Sequence, residues 1–383
     1  MPQYRVYYAI EQFGLCTDGT TPTDAALITV HGLQSVGITT TFNLEQVFEL
    51  GQLAIYENVE GIPDVEVTTE KVLDGYPPVY LLATRPAVGA PALVGTGIAN
   101  RQNEKATGAL HIWSDTLEFA DHNTPPLTQC IMSGLFVSSL TYTFPVDGSS
   151  TESCTLVGNN KSWLLAAPKG LGMINAAGDF DIDDDDISDD VPVAAVGVAR
   201  REDVNFTDAA FVAAGLTVGG EQNDIAAGHT ACVLPPEVDG ISSSGTNDVE
   251  TDGKSYKSHL QSLSVSTDLG RENLFELGRK GAYFRYVSFP VEVTTEITAL
   301  ATSGDMITAL EDETNLAHRR IRIASNEGLR LDCGDKNKLA SVSMTGGDAG
   351  GDNMEISYSY TNFNDLKVNH SHTTVKLTGH QGY

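Results

Sequence analysis

Residues 33–40, with the sequence LQSVGITT, recur as residues 260–267, with the sequence LQSLSVST. The offset between the two stretches is 260 − 33 = 227 positions. Extending the alignment without a gap to residue 63 keeps 11 of 31 positions identical. After a deletion of one residue, the sequence VEVTTE at 65–70 is repeated in full at 291–296. Average residue usage gives roughly two identities by chance over this length, so the chain is predicted to contain an internal duplication.

The repeated stretch alternates larger residues with glycine, serine and threonine. A period of two predicts a strand that buries one face and exposes the other. Both copies keep the same parity of inward positions, which are Val36, Ile38, Thr40 and Phe42 in the first copy and Leu263, Val265, Thr267 and Leu269 in the second. Each copy is therefore predicted to contain the same half-buried strand.

A short helix is predicted after each of these strands. Asn43 and Asp268 are residue types that favour the N-cap of a helix. Gly51 and Gly278 stand where glycine commonly ends a helix. The sequence therefore predicts one helix in each copy, between the capping residue and the glycine.

The other alternating patterns predict antiparallel strands. These are 52–58, 65–73 and the hairpin 140–148 with 152–157 in the first copy, and the hairpin 339–344 with 354–360 in the second. We expect a mainly β fold made of two tandem antiparallel β-sandwich or barrel domains, each with a short flanking helix.

The predicted domain boundaries follow the repeat. Residues 1–161 form the first β domain, residues 162–254 an acidic insertion or linker rich in Gly, Ala and Asp, and residues 255–383 the second β domain. Residues 76–130 elaborate the first domain and include strand-like pieces at 79–82 and 109–113.

The chain carries 51 acidic and 23 basic residues, for a formal net charge of −28. Phosphate binding needs Lys and Arg to displace counterions, so this chain is expected to repel nucleic acid. Proximity to DNA without binding, adaptation to high salt and selection for solubility all favour such a balance. No apolar stretch has the length of a membrane span, and the N-terminus lacks the pattern of a secretory signal, so we expect no membrane association.

Motifs for enzymatic chemistry are not found in the sequence, and we predict no catalytic residues, no cofactor and no enzyme activity. The five cysteines are odd in number and widely spread, which favours buried thiols over a zinc site or a disulfide framework.

The acidic run at 179–190 bears comparison with a calcium-binding loop. Asp179, Asp181, Asp183 and Asp185 occupy the alternating ligand positions. However, the sixth position is Asp184 where a sharp turn needs glycine, and the twelfth is an aspartate where a bidentate glutamate is usual. A solvated acidic loop is therefore favoured over a calcium site.

Two stretches resemble the tail tube proteins of tailed, long-tailed bacteriophages and related viruses. The first is 140–148 (LTYTFPVDG), followed by Glu152 and 155–159 (TLVGN), and the second is 48–56 (FELGQLAIY), leading into 65–68. The resemblance covers the first copy best, over about residues 31–161, and in the second copy a glycine-rich turn at 346–351 replaces the sequence FPVDG.

This resemblance implies a β-sandwich whose sheet joins those of neighbouring chains into a ring. Rings of this family stack into a hollow tube through which genomic DNA passes without specific binding. A duplicated protein implies a ring of three chains with six equivalent units, although a ring of six chains stays open. The implied partners are further copies of the chain and other tail proteins, such as the tape measure and terminator. The implied location is the virion tail, and the host cytoplasm during assembly.

Two other readings stay open. One is a different virion component, namely a baseplate, terminator or capsid-decoration protein. The other is an acidic, calcium-dependent adhesion or surface-layer module. For the tail tube, acidic side chains are expected to dominate the lumen through which the DNA passes.

Overall fold

The computed structural model describes residues 11–17, 28–51, 53, 55–84, 96–98, 104–112, 127–165, 198–205, 259–278, 281–301, 304, 307, 318–325, 328–347 and 353–370. This part of the chain is mainly β, with large antiparallel sheets, as predicted. Among the described residues, no helix has the length and apolarity needed to cross a membrane.

The strands of the first two-thirds of the chain are β1 (Glu11–Thr17), β2 (Ile28–Thr29), β3 (Leu33–Thr41), β4 (Leu44–Phe48), β5 (Ile55–Glu60), β6 (Asp64–Val72), β7 (Thr96–Gly97), β8 (Ala106–Ile112), β9 (Thr128–Pro145), β10 (Thr151–Gly158), β11 (Asn160–Leu165) and β12 (Val204–Asn205). The remaining strands are β13 (Leu260–Asp268), β14 (Arg271–Leu274), β15 (Phe284–Val287), β16 (Glu292–Leu300), β17 (Arg322–Ser325), β18 (Leu329–Asp332), β19 (Lys338–Thr345), β20 (Glu355–Phe363) and β21 (Lys367–His370). A five-residue helix, α1 (Val79–Ala83), lies between β6 and β7.

Eight of these strands form the main path of the largest sheet, in the order β19-β20-β16-β13-β9-β10-β6-β3. The first half of this path is β3-β6-β10-β9, and the second half is β13-β16-β20-β19. The two halves therefore have the same strand order and the same connectivity. They meet where β9 of the first half pairs with β13 of the second.

The irregularities of the two halves also coincide. The β3·β6 ladder has a register shift that leaves Gln34 without a partner residue in β6, and the β13·β16 ladder has the same shift at Gln261. Each glutamine amide donates a hydrogen bond of 3.2 Å to the carbonyl two residues earlier. The β9·β10 ladder has a register shift at Ser138, and the β19·β20 ladder has one at Ala340. Equivalent residues thus differ by 227 positions between β3 and β13, and by 340 − 138 = 202 between β9 and β19.

Ladder pairing changes one detail of the sequence alignment. Val36 pairs with Thr69 and Leu263 pairs with Ile297, so β16 follows β6 at an offset of 297 − 69 = 228. The identical sequence VEVTTE predicted an offset of 226, with one residue deleted. This predicted alignment of β6 with β16 is wrong. A shift of two residues keeps every side chain on its own face, so the alternating pattern does not distinguish the two registers.

The helices expected after Asn43 and Asp268 are also wrong. Each segment forms a two-stranded hairpin, β4·β5 in the first half and β14·β15 in the second. Residue 44 pairs with 60 in one hairpin and 271 with 287 in the other, which is the same register at the offset of 227.

The composition of these segments explains the hairpins. Gly51 and Gly278 have φ values of 91° and 85°, in the left-handed region that favours glycine in turns. The strands of the first hairpin contain Val47, Phe48 and Tyr56, and β15 of the second contains Phe284, Tyr286 and Val287, which are β-branched or aromatic residues that favour extended backbone. Glycine closing a hairpin and glycine ending a helix give the same local sequence signal.

A second layer of strands accompanies each half of the main path. In the first half, β9 bends at Gly134, with a φ of 66°, and its N-terminal part pairs with β8 and β11. In the second half, a separate sheet has the order β12-β17-β18-β21-β7. Strands β7 and β12 of this sheet come from outside residues 255–383. One cluster of buried apolar side chains includes residues of both halves.

Helix α1 occupies the segment 79–82 that had been expected as a strand, whereas the piece expected at 109–113 largely coincides with β8. The backbone N–H groups of Val79 and Tyr80 donate to the fully buried carboxylate of Glu152, at 2.6 and 3.1 Å. The hydroxyl of Tyr142 donates to the same carboxylate at 3.0 Å. Burial raises the pKa of Glu152, against the opposing effect of these hydrogen bonds. The carboxylate therefore anchors the helix to the sheet.

Replacing this anchor is expected to destabilise the protein. Glu152→Ala leaves three buried donors without their acceptor, and each such donor costs about 1–3 kcal/mol. We expect the free energy of unfolding to fall by about 3 kcal/mol or more, measured by chemical denaturation. Ser153→Ala, on the opposite face of the same strand, is the matched control and is expected to change the stability by less than about 0.5 kcal/mol.

The pH dependence of this effect has a definite sign. Because the pKa of Glu152 is raised in the folded state, its protonation favours folding below the unfolded pKa, and this contribution is lost as the pH rises through the folded value. The stability advantage of the wild type over Glu152→Ala should therefore narrow as the pH rises above the ordinary carboxyl pKa of 4.5. An advantage that widened over this range would contradict the assignment.

Candidate assembly interface

The pairing of β9 with β13, here called the internal seam, joins the two halves edge to edge. Thr143 lies opposite Ser264, Tyr142 opposite Val265, and Thr141 opposite Ser266. The inward side chains of both strands are buried, with exposed fractions of 1% for Leu140, 0% for Tyr142, 5% for Phe144, 2% for Leu263 and 1% for Val265. The internal seam thus pairs the two backbones and buries apolar side chains on one face.

The two outer edges of the main path are formed by strands equivalent to the two strands of the internal seam. Strand β3 at one end is the counterpart of β13, and strand β19 at the other end is the counterpart of β9. Within the described residues, no strand pairs with the outer side of β3 or of β19. One chain therefore carries, at its two ends, the two edges that pair with each other at its centre.

Equivalent side chains are exposed at these ends and buried at the centre. Phe42 is 71% exposed, whereas its counterpart Leu269 is 1% exposed. Met344 is 39% exposed, whereas its counterpart Tyr142 is 0% exposed. For Tyr142, Glu152 and helix α1 of its own half contribute to the burial, and the neighbouring half across the seam supplies the rest.

The second hairpin, β14·β15, extends the internal seam by contacting the first half of the chain. The guanidinium of Arg285 donates to the Asp64 carboxylate at 2.6 Å, to the Asn159 side-chain oxygen at 2.7 Å and to the Gly158 carbonyl at 3.2 Å. The amide of Asn159 donates in return to the carbonyl of Ala282 at 2.7 Å. These bonds hold the base of the hairpin against β6 and β10.

Arg271, on the other strand of this hairpin, also reaches across the seam. Its Nε donates to the carbonyl of Val137 at 2.7 Å, and its guanidinium lies 5.1 Å from the ring centroid of Phe136. Burial lowers the pKa of Arg271 to about 10, which still leaves the group charged at neutral pH. The ring of Phe136 in turn meets Phe284 edge to face, with 5.1 Å between the centroids. Sequence reasoning missed these arginines because nothing in the repeat distinguishes them.

The first hairpin, β4·β5, has no such contacts with another half within the described residues. Its exposed apolar side chains are Leu44 (61%), Val47 (38%), Phe48 (61%), Ile55 (42%), Tyr56 (65%) and Val59 (42%). Contiguous apolar exposure of this kind marks an interaction surface. This hairpin stands beside β3 as the second hairpin stands beside β13.

The face of the main path opposite the core is polar and acidic, and we call it the polar face. By alternation it carries serine and threonine from all eight strands. Its carboxylates are Asp64, Glu66, Glu70, Asp268, Glu292, Glu296 and Glu355. Lys338, at the end of β19, is the one basic residue of these strands on this face. The acidic bias of the sequence is thus expressed on a continuous surface.

The calcium candidates Asp179, Asp181, Asp183 and Asp185 lie outside the described residues. Among the residues that are described, no group of three or more His, Cys, Asp or Glu is arranged to hold a metal ion. The four described cysteines are buried thiols. Burial raises the pKa of Cys130 to about 11 and that of Cys333 to about 12, so both stay protonated at neutral pH and are poor nucleophiles.

No protein-family model and no curated protein matches this chain. Among solved structures, a chain of the anti-feeding prophage baseplate is 11% identical, with a TM-score of 0.31, and the match covers 43% of this chain and 99% of that chain. A chain of the anti-feeding prophage cap, which terminates the tube, is 13% identical, with a TM-score of 0.30 and coverages of 43% and 95%. A chain of the PVC extracellular contractile injection system, from its sheath–tube complex, is 12% identical, with a TM-score of 0.28 and coverages of 43% and 94%. At these levels the similarity assigns neither a function nor a partner to this chain.

Alanine substitutions at the equivalent positions Leu269 and Phe42 should distinguish an effect on folding stability from an effect on self-association. Leu269→Ala removes a buried side chain and is expected to lower the free energy of unfolding by about 2–5 kcal/mol. Phe42→Ala removes an exposed side chain and is expected to leave the stability of an isolated chain within about 0.5 kcal/mol while weakening self-association. Denaturation at low concentration and sedimentation velocity at high concentration measure the two effects. Equal loss of stability in both variants would contradict the comparison.

Proposed function

We propose that this chain is a structural, non-enzymatic component of a phage tail or tail-like particle, and that it assembles with copies of itself into a ring. The observation that carries the proposal is the agreement between the internal seam and the two open edges. Because β19 of one chain has the same structure as β9, and β3 of the next chain the same structure as β13, the two are expected to pair as β9 and β13 do.

The internal seam specifies the register of this pairing, here called the external seam. Val265 lies opposite Tyr142, so the offsets of 227 and 202 place Ile38 of one chain opposite Met344 of the next. The same arithmetic places Thr40 opposite Val342. All four side chains are at least partly exposed in the single chain, and the pairing would bury them as their counterparts are buried.

A closed ring follows from repeating one such contact. The interface is heterologous, because two different edges meet, and a heterologous contact closes into a ring when its rotation divides the full circle. Three chains would supply six equivalent halves, with internal and external seams in alternation. Six chains in a ring are the other closed arrangement, and the number of chains is a measured outcome of the tests below.

The polar face suits the inner wall of such a ring. Its carboxylates repel DNA phosphates, and the near absence of Lys and Arg removes the groups that would hold them. Duplex DNA would then pass without being bound. Within this proposal, the rings stack into a hollow conduit, the tail tube of the virion, and do not stay single as a baseplate or terminator ring would. Electron microscopy of the purified protein distinguishes filaments from single rings.

Engineered disulfides test the external seam directly. Ser266 lies opposite Thr141 in the internal seam, so Thr39 of one chain should lie opposite Ser343 of the next. Opposed residues of antiparallel strands are about 4.5–5.5 Å apart at Cα, within reach of a disulfide. In the variant carrying Thr39→Cys and Ser343→Cys, oxidation should give covalent dimers and trimers on a non-reducing gel, and reduction should reverse them.

The matched control uses the equivalent positions of the internal seam. Ser266→Cys with Thr141→Cys should form its disulfide within one chain and give no covalent multimers. A ladder continuing to six chains would replace the ring of three with a ring of six. Monomers alone, from a protein that the control shows to be folded, would overturn the proposed assembly.

Charge reversal on the polar face tests its role toward DNA. Glu66→Lys with Glu296→Lys should give assembled particles that retain duplex DNA at low salt, because phosphate contacts replace repulsion. Glu272→Lys with Glu276→Lys, on the second hairpin, changes the net charge equally and should not have this effect. DNA retention is measured by co-sedimentation. Equal retention by the two variants would show that net charge, rather than the polar face, governs DNA contact.

A further inference from the structure

One difference between the two seams lies at a pair of equivalent positions beside the base of each hairpin. In the internal seam this position holds the ring contact between Phe284 and Phe136. Subtracting 227 from 284 gives Glu57, and adding 202 to 136 gives Lys338. Where the internal seam joins two aromatic rings, the external seam thus brings together a carboxylate and an ammonium group of different chains.

We propose that Glu57 of one chain and Lys338 of its neighbour form an ion pair that selects the correct partner edge in the external seam. This inference rests on the proposed ring, and it adds the residues that determine recognition between chains. Both side chains are exposed in the single chain, and each lies beside the edge that the ring would close.

The backbone registers of the two halves are the reason for expecting the external seam to have the geometry of the internal seam. The hairpins β4·β5 and β14·β15 have identical registers at the offset of 227. The ladder next to each partner residue passes over one residue at the same place, Ser138 or Ala340. Residues 57 and 338 therefore occupy the same local positions as Phe284 and Phe136.

Within one chain the two residues stand at opposite ends of the main path. Glu57 lies on the hairpin beside β3, and Lys338 lies on β19, at the opposite end of the eight-strand path. Seven strand spacings of about 4.8 Å separate these edges by roughly 34 Å along the sheet. The complementary charges are thus available to a neighbouring copy of the chain.

The arginine contacts of the internal seam are absent from the external one. Arg271 corresponds to Leu44, and Arg285 corresponds to Asn58. The external seam therefore lacks both guanidinium groups at the hairpin base, and Glu57 with Lys338 is the opposite-charge pair that the register places there. Because such a pair is close to solvent, its contribution is expected to weaken with added salt.

A double-mutant cycle tests the pair. Glu57→Lys and Lys338→Glu each place like charges together and should weaken association by about fivefold per seam at low salt. The double reversal restores opposite charges and should return the association constant to within about twofold of the wild type. Sedimentation velocity at low salt and at 1 M salt measures these changes, and the single-variant defects should shrink at high salt.

Glu45→Lys, on the other strand of the same hairpin, provides the control for general charge effects. Combined with Lys338→Glu, it should show no restoration beyond the sum of the single changes. Restoration equal to that of Glu57→Lys with Lys338→Glu would overturn the specific pair. Failure of coupling in a protein that still forms the covalent ladder through Thr39→Cys and Ser343→Cys would overturn the ion pair and leave the ring standing. Absence of that ladder would overturn the ring itself.

Discussion

The proposed assembly depends on the backbone hydrogen-bonding capacity of two sheet edges. Strands β3 and β19 end the main path with rows of N–H and C=O groups on their outer sides. Isolated proteins usually protect such edges with proline, inward charges or short strands. Strand β3 runs for nine residues with no charge and no proline, and β19 carries Lys338 alone. These edges lack the usual protection because they are equivalent to two strands that pair within the same chain. Ring closure satisfies both edges at once, which a dimer with one seam does not.

Fusion of two halves in one chain makes the two seams energetically different. The internal seam forms during folding and loses no translational freedom of a separate molecule, whereas the external seam of the proposed ring would have to offset that loss. The internal seam nevertheless carries the arginines and the aromatic pair, which fix the angle between the two halves. These contacts restrain the orientation in which the two open edges are presented. The external seam can then rely on backbone pairing, apolar burial and a single charge pair to choose its partner.

The sequence identified the repeated strands but not the hairpins between them. Alternation at Val36 and Leu263 predicted half-buried strands, because burial imposes a period of two. The segments after Asn43 and Asp268 were mistaken for helices, since a cap-like residue and a terminal glycine also delimit a hairpin. The register of β16 was displaced by two residues for the same physical reason, as parity alone does not fix pairing. The seam contacts of Arg271 and Arg285 arise from tertiary proximity, which one sequence does not encode locally.

The sheet gathers acidic residues of the chain on one face, the polar face. The outward carboxylates come from four of the eight main strands, and Lys338 is the one basic residue that the main strands place on the polar face. Lys338 lies on the outermost strand, where a neighbouring chain of the proposed ring would reach it. Pairing with Glu57 would neutralise it at the seam, so that assembly itself would leave carboxylates as the charged groups of the inner wall. Partner recognition and repulsion of DNA would then follow from the same arrangement of charge.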